Sequence, residues 1–157
     1  MVNRHAAIAV VVAGFLTISL GAVRLQADSR GQSVNLKGIK CPVCGMQSQP
    51  SQSVDYKGAK VYFGCAACPP RFKQDPTKYA AKANAQLVAT KQARQKACPI
   101  MGGKPNKELK MQVGGADVFF CCPRCRKPVE ALKGKARIEK VFNDKTFAKA
   151  FEIPKKK

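Results

Sequence analysis

The cysteines of this chain repeat at one fixed spacing. Three pairs of the eight cysteines differ by the same offset of 57 residues: Cys41 with Cys98, Cys65 with Cys122, and Cys68 with Cys125. The flanking residues keep this offset without a gap, so that CPVCGM corresponds to CPIMGG and VYFGCAAC corresponds to VFFCCPRC. Self-similarity at a fixed period indicates a duplicated structural unit. The sequence therefore predicts two copies of one small module.

Each copy has the same order of local signals. A Cys-Pro-x-x-Gly knuckle comes first, two alternating runs around a turn follow, and a cysteine pair then precedes a proline. The turns fall at Lys57-Gly58 and at Gly114-Gly115, which predicts a β-hairpin in each copy. Proline is tolerated in the first turn of a helix, so we expect a helix after each cysteine pair. The predicted fold is small α+β, with two tandem treble-clef-like zinc-knuckle modules (knuckle, β-hairpin, helix) joined by a helical spacer.

The composition of the remaining segments sets the predicted domain boundaries. Asp75 and Pro76 form a helix start, and the residues from there to Lys96 are rich in Ala, Lys and Gln, which favour helix. Asn143 is placed to cap a last short helix near the basic C-terminus. The predicted organisation is a leader at 1–27, a first module at 36–80, a helical linker at 81–96 lightly packed on that module, a second module at 97–132, and a basic tail with a short helix at 133–157.

The N-terminus has the pattern of a targeting segment. Arg4 and His5 precede an uncharged, mostly apolar run at 6–23, and Ala27 offers a small-residue cleavage point. The run of 18 residues is also long enough for a retained membrane anchor. Both interpretations predict export to the periplasm or cell envelope, and only the second predicts lasting contact with the membrane.

The chain carries a formal net charge of +20. Such an excess favours anionic partners, so an envelope protein or an anionic envelope surface is one candidate partner. It is equally consistent with a lysine-rich surface that keeps a small protein soluble. Export and the lack of aromatic residues interleaved with basic ones argue against nucleic acid.

Two CxxC pairs define the first candidate site, at Cys41, Cys44, Cys65 and Cys68. Two such pairs about 20 residues apart are typical of a tetrahedral four-thiolate site, for which Zn²⁺ is the expected ion because it has no redox demand. An even number of cysteines in an exported protein also permits structural disulfides. The CxxC spacing further permits thiol–disulfide chemistry.

The second candidate site departs from the first at two positions. Met101 stands where the first copy has Cys44, and Cys121 stands where it has Gly64. Cys98, Cys122 and Cys125 therefore keep equivalent positions, and Cys121 and Met101 are candidates for the fourth ligand. Thiolate with thioether is a soft donor set that favours Cu⁺, whereas Cys121 would restore a four-thiolate zinc site. Core packing is the alternative role for Met101.

Several residue types needed for catalysis are missing from the sequence. The single histidine, His5, lies in the leader, so the remaining chain has no histidine to act as a general base or a metal ligand. No nucleophile-elbow, HExxH or phosphate-binding motif occurs. The sequence therefore predicts a protein that is not an enzyme.

The segments CPVCGM, YKGAKVYF, the following CxxC and DPTKY make the first copy resemble the YHS domain, a member of the TRASH-like group of metal-binding treble clefs. The second copy resembles a divergent relative of the kind found in exported bacterial proteins. The resemblance covers residues 36–80 and 94–132. It implies metal binding with a metallochaperone-like, sensing or trafficking role. By position it implies metal ligands at Cys41, Cys44, Cys65, Cys68, Cys98, Cys122 and Cys125.

Overall fold

A hairpin followed by two helices occurs in both copies of the repeat. The elements of the first copy are β1 (Gln49–Tyr56), β2 (Ala59–Phe63), α1 (Cys68–Gln74) and α2 (Pro76–Ala89). A short strand, β3 (Arg94–Gln95), leads to the second copy. The elements that follow are β4 (Lys110–Val113), β5 (Ala116–Phe119), α3 (Pro123–Ala131), α4 (Gly134–Phe142), α5 (Asp144–Ala150) and β6 (Phe151–Glu152).

The computed structural model describes residues 34–155, which lie in one compact unit spanning residues 32–157. The leader predicted at 1–27 and the last two lysines lie outside the described residues. Within residues 34–155, no helix has the length and apolarity needed to cross a membrane. The small α+β class predicted from the sequence is confirmed.

Local sequence signals produce both hairpins. β1 pairs antiparallel with β2, and β4 pairs antiparallel with β5. Lys57 and Gly58 both have positive φ (53° and 82°), as do Gly114 and Gly115 (60° and 85°). Two consecutive residues at positive φ match the right-handed twist of the flanking strands, which explains the tight turns at these positions.

The helix predicted to continue to Lys96 ends at Ala89. The Thr90 side chain donates a hydrogen bond to the Gln86 carbonyl at 2.8 Å, and Lys91 takes a positive φ of 60° that ends the helix. The chain then forms β3, which pairs with β6 from the C-terminus. This pairing is non-local, so local helix propensity could not reveal it.

The segment predicted as a lightly packed spacer is instead part of the core. Ala83, Asn84 and Leu87 of α2 are fully buried, and α2 contacts β2, β5 and α4. The boundary predicted between residues 80 and 81 falls inside this helix. The predicted basic tail likewise contains α4 and α5, whose Phe142 and Phe147 are buried. Two helices therefore complete the first copy, and three complete the second.

One hydrophobic core extends through both copies. Its largest members are phenylalanines of which at most 2% of the surface is exposed: Phe63, Phe72, Phe120, Phe142 and Phe151. Burial of such a side chain contributes about 1.5–3 kcal/mol. The two cysteine sites consequently lie at the surface of a shared core.

Candidate metal centres

The two knuckles have the same backbone. In the first, the Gly45 amide donates to the Cys41 carbonyl at 3.0 Å, and the Cys41 amide donates to the Met46 carbonyl at 2.7 Å. In the second, the Gly102 amide donates to the Cys98 carbonyl and the Cys98 amide donates to the Gly103 carbonyl, both at 2.8 Å. Gly45 and Gly102 have φ of 77° and 80°, which a residue with a Cβ rarely adopts. The glycine of each knuckle is thus required by the turn.

The second cysteine pair of each copy lies at the start of a helix. Cys68 is the first residue of α1, and its amide donates to the Cys65 carbonyl at 3.2 Å. Cys122 is the N-cap of α3, and the Cys125 amide donates to its carbonyl at 3.1 Å. Helix starts carry unpaired amides and partial positive charge, which favour anionic thiolates.

The first site contains four neighbouring thiols. The Sγ atoms of Cys41, Cys44 and Cys68 lie within 4.8 Å of one another. Cys65 falls outside that group of three, but its Sγ is 3.1 Å from that of Cys68. Four sulfurs around a zinc ion, with bonds of about 2.3 Å, would stand about 3.8 Å apart. The side chains therefore stand close to the separations that a bound ion needs.

The second site repeats this arrangement with a different member. The Sγ atoms of Cys98, Cys121 and Cys125 lie within 4.8 Å of one another. Cys122 falls outside that group, but its Sγ is 3.6 Å from Cys125 and 3.9 Å from Cys121. The structure thus brings all eight cysteines into two groups of four, and Cys121 occupies the role that Cys44 has in the first site.

Each site has two inner and two outer thiols. The inner thiols are at most 2% exposed: Cys41 and Cys68 in the first site, Cys98 and Cys125 in the second. The outer thiols are Cys44 and Cys65, then Cys121 and Cys122; Cys44 is exposed and the other three are half-buried. All eight cysteines are free thiols. The two buried sulfurs would bind the inner side of an ion in either site. A partner molecule would reach the ion from the side of the two outer thiols.

Backbone amides favour the thiolate form of the knuckle cysteines. Burial raises the pKa of Cys41, but hydrogen bonds from the backbone at Cys44, Gly64 and Val43 outweigh it and leave the pKa lowered. The pKa of Cys98 is lowered in the same way, with burial opposed by the backbone at the positions offset by 57, which are Met101, Cys121 and Ile100. The same three backbone positions thus favour both thiolates, although all three side chains differ between the copies.

The inner thiols on the helices behave oppositely. Burial, followed by the hydrogen bond with Cys65, raises the pKa of Cys68 far above the ordinary thiol value. Burial and the hydrogen bond with Cys121 raise the pKa of Cys125 in the same way. These thiols would hold their protons until a cation replaces them, so metal binding should release protons.

A third position, which contacts the end of the hairpin, differs between the copies together with Cys44/Met101 and Gly64/Cys121. A Cβ placed on Gly64 would lie 2.9 Å from the Gln47 carbonyl oxygen and 3.0 Å from the Met46 Cβ. The residue offset by 57 from Met46 is Gly103. A Cβ there would lie 3.3 Å from the Cys121 Cβ and 3.5 Å from its Sγ. The knuckle position and the hairpin-end position therefore contact each other in both copies, and one of the two is glycine in each. The first copy has Met46 with Gly64, and the second has Gly103 with Cys121.

Met101 is not a core residue. Its side chain is 70% exposed, which contradicts core packing as its role. Its place in the sequence, three residues after Cys98, puts it on the second knuckle. Met46, on the first knuckle, is also exposed, at 51%, and was not among the residues singled out from the sequence.

Sequence reasoning also missed two glutamines that fix the hairpins beneath the sites. The Gln86 side chain accepts from the Tyr62 amide at 2.7 Å and donates to the Tyr62 carbonyl at 2.8 Å. The Gln95 side chain makes the same two hydrogen bonds with Phe119. It accepts from the Phe119 amide at 2.9 Å and donates to the Phe119 carbonyl at 2.6 Å. Tyr62 and Phe119 are related by the offset of 57, but the glutamines are not. No repeat signal could therefore have identified them.

Comparison with protein families supports the resemblance noted from the sequence. Residues 39–83 match the YHS domain family, a range that includes the first knuckle, the first hairpin, α1 and the first half of α2. Comparisons with curated proteins and with solved structures give no match. The YHS match and the two cysteine groups together suggest metal binding. Residues 39–83 are thus similar to the YHS domain family, and all four thiols of the first site lie within that match.

Proposed function

We propose that this chain is an exported protein that binds one thiophilic metal ion in each of its two cysteine sites. The observation that carries the proposal is the convergence of two groups of thiols, each within 4.8 Å, on knuckles with the same backbone. Thiolates are soft ligands that select zinc, Cu⁺ and related ions. The YHS domain around the first site supports the same class of function.

Zinc is the proposed ion for the first site. Four thiols from two CxxC pairs supply the tetrahedral donor set that Zn²⁺ prefers, with no redox demand. The second site has four thiols as well, and its exposed Met101 adds a thioether, so Cu⁺ is the alternative ion there.

The proposed role is transfer of metal rather than a purely structural one. The observation that supports transfer is the exposure of Cys44, which gives the thiol of an acceptor protein direct access to an ion in the first site. The second candidate is a scaffold in which both ions serve only folding and the basic surface binds an anionic envelope component. The formal net charge of +20 favours this second candidate, because a strongly basic surface attracts anionic partners. Thiol–disulfide chemistry is a third role, which requires that the sites bind no metal.

The proposed role is not enzymatic and is located in the periplasm or cell envelope. Its basis is the charged and apolar N-terminal pattern and the absence of any histidine after His5. N-terminal sequencing of the protein recovered from cell envelopes would test export: a start at Asp28 indicates cleavage, and an intact N-terminus in the membrane fraction indicates an anchor.

Native mass spectrometry with elemental analysis, on protein purified without oxygen or added metal, tests the proposal. We expect two bound ions and no disulfide. Exchange of metal with a competing chelator while the fold persists supports transfer, and unfolding on chelation supports the scaffold. Absence of metal, with a mass lower by two hydrogens for each cysteine pair, would overturn metal binding and indicate a thiol–disulfide protein.

A further inference from the structure

Two exposed methionines mark the two sites. Among the described residues, the large hydrophobic side chains that are exposed are Met46, at 51%, and Met101, at 70%. The third methionine in this range, Met111, is half-buried on β4 and packs against the core. Scattered exposed apolar residues are common on proteins, but here both lie on the metal knuckles.

Both methionines are attached to the backbone that holds an inner thiol. The Met46 carbonyl accepts a hydrogen bond from the Cys41 amide at 2.7 Å. The backbone at Met101 contributes to the lowered pKa of Cys98. Their side chains therefore start next to the thiolate groups and extend into solvent.

The duplication alone does not account for this placement. Met46 corresponds to Gly103 in the second copy, and Met101 corresponds to Cys44 in the first. Each copy thus presents one exposed thioether on its knuckle from a different position. With four thiols, each site has five neighbouring sulfur-bearing side chains.

The chemistry of a thioether distinguishes between metal ions. It is neutral and soft, so it suits Cu⁺ and is a poor ligand for Zn²⁺. It needs no deprotonation, in contrast to a thiol. A monovalent soft cation can therefore bind to it without the release of a proton.

We propose that Met46 and Met101 are first-contact donors that capture Cu⁺ at the mouth of each site and pass it to the thiols. This proposal rests on the proposed metal binding and adds the class of cation and the route. In the transfer step the bond from copper to the methionine sulfur breaks as bonds to cysteine sulfurs form. Each thiol that joins releases one proton to solvent, the thioether is unchanged, and copper stays in the +1 state.

The test uses protein labelled with ¹³C at the methionine methyl groups and titrated with Ag⁺, which is a redox-stable substitute for Cu⁺. We expect the Met46 and Met101 methyl resonances to shift in spectra recorded directly after mixing with Ag⁺ and to return as the thiols bind the ion, and we expect no such transient shift with Zn²⁺. The Met111 resonance should stay in place and serves as the internal control. Loss of reactive thiols, followed in the same samples, reports binding to the cysteines.

Substitution to leucine gives a kinetic version of the test. Met46→Leu and Met101→Leu should each slow Cu⁺ uptake from a chelator several-fold at their own site, with Zn²⁺ uptake and final stoichiometry unchanged. Met111→Leu should change neither rate. Ag⁺ that protects the thiols while the methyl resonances and the rates do not change would overturn this inference and leave metal binding intact. Ag⁺ that leaves every thiol reactive would overturn the proposed function as well.

Discussion

The first and second sites differ in where they place one outer ligand, and they agree in almost everything beneath it. Inner thiols, knuckle hydrogen bonds and the backbone positions facing Cys41 and Cys98 are related by the offset of 57. The outer thiol is on the knuckle in the first site, at Cys44, and at the end of the hairpin in the second, at Cys121. The difference teaches that the backbone of this module defines where the inner thiols converge, and that an outer thiol can reach that point from two directions.

The surroundings of the two knuckles also differ. A Cβ on Gly102 would lie 3.1 Å from the Lys149 Cε, so this lysine lies over the second knuckle. A Cβ on Gly45 would meet nothing within 4 Å. The first site is therefore the more open of the two, which agrees with the exposure of Cys44. Four predictions test how far this comparison holds.

The largest effect should come from the inner knuckle thiols. Cys41→Ser and Cys98→Ser each remove a buried ligand held by three backbone positions, so each should empty its own site and weaken binding there by more than about 100-fold. Metal content per protein should fall from two ions to one in either variant. Ala66→Ser, on the exposed stretch between Cys65 and Cys68, is the control and should keep both ions. If either variant loses both ions, the shared core couples the sites and they cannot be treated as separate.

A ligand transplant tests whether the two outer positions are interchangeable. Cys44→Met alone should weaken zinc binding at the first site because one thiolate is lost. Gly64→Cys alone should destabilise the fold by about 1–3 kcal/mol, since its Cβ would lie 2.9 Å from the Gln47 carbonyl oxygen and 3.0 Å from the Met46 Cβ. The triple variant Cys44→Met/Met46→Gly/Gly64→Cys has the residues of the second copy at these three positions and removes the contact with Met46. It should restore tight binding once the Gln47 backbone has shifted by a few tenths of an ångström.

The single and triple variants are compared by their zinc affinity, measured by chelator competition. Restored affinity in the triple variant would show that an outer thiol can be placed either on the knuckle or at the end of the hairpin of the same backbone. Affinity as weak as that of Cys44→Met would mean that position 121 depends on other features of the second copy.

The glutamines beneath the hairpins should give an intermediate effect. Gln86→Leu leaves the buried Tyr62 amide without a partner, and such a loss costs about 1–3 kcal/mol. Gln86 also donates to the Lys40 carbonyl and the Ser48 hydroxyl, at 3.1 and 3.2 Å, so its loss loosens the first knuckle. Gln95→Leu should cost less because Gln95 is only half-buried.

Denaturant titration of the metal-loaded variants measures the free energy of unfolding. Gln92→Leu is the matched control. The Gln92 side chain accepts from the Lys60 amide and donates to the Lys60 carbonyl, both at 2.8 Å, but Lys60 is exposed, so water can replace the side chain there. A cost for Gln92→Leu equal to that for Gln86→Leu would show that burial of these bonds is not what matters.

Local patterns were sufficient for the parts of the fold that depend on neighbouring residues. Lys57-Gly58 and Gly114-Gly115 predicted both hairpins, and Asp75 and Asn143 cap helices as expected, each accepting from a backbone amide three residues on. The eight cysteines were grouped in advance because the repeat and the CxxC spacing are visible in the sequence. These features need no knowledge of distant contacts.

The features that were missed depend on contacts between distant residues. The end of α2 and the strand β3 are determined by pairing with Phe151 and Glu152. The helix α4 replaces part of a predicted tail because Val141 and Phe142 are buried in the core. The sequence leaves Cys121 and Met101 as alternative fourth ligands, and it could not show that the Cys121 thiol lies within 4.8 Å of those of Cys98 and Cys125, because this proximity depends on the packing of the hairpin end against the knuckle.

The smallest effect should come from the turns of the two hairpins, which are anchored differently. The first turn is tied by charge: the Lys57 ammonium lies 2.6 Å from the Asp144 carboxylate, which also accepts from Asn84 at 2.8 Å. The second is held by packing, because a Cβ on Gly114 would lie 3.0 Å from the Ala85 Cβ. Partial burial raises the pKa of Asp144, but the hydrogen bonds from Lys57 and Asn84 outweigh it and leave the pKa lowered.

A lowered folded-state pKa means that the Asp144 carboxylate stabilises the fold above the unfolded-state pKa of about 3.9 and that this contribution is lost as the pH falls through the folded-state pKa. Asp144→Asn should therefore reduce the free energy of unfolding at pH 7 by less than about 1 kcal/mol, because the side chain is 53% exposed. The difference from the unchanged protein should shrink as the pH is lowered below about 4, since Asp144 of the unchanged protein then becomes protonated and loses its ion pair. Asp55→Asn, on the same hairpin and paired with Lys60 at 3.2 Å, is the control. A difference that stays constant with pH would show that Asp144 acts through packing, and the two turns would then be anchored in the same way.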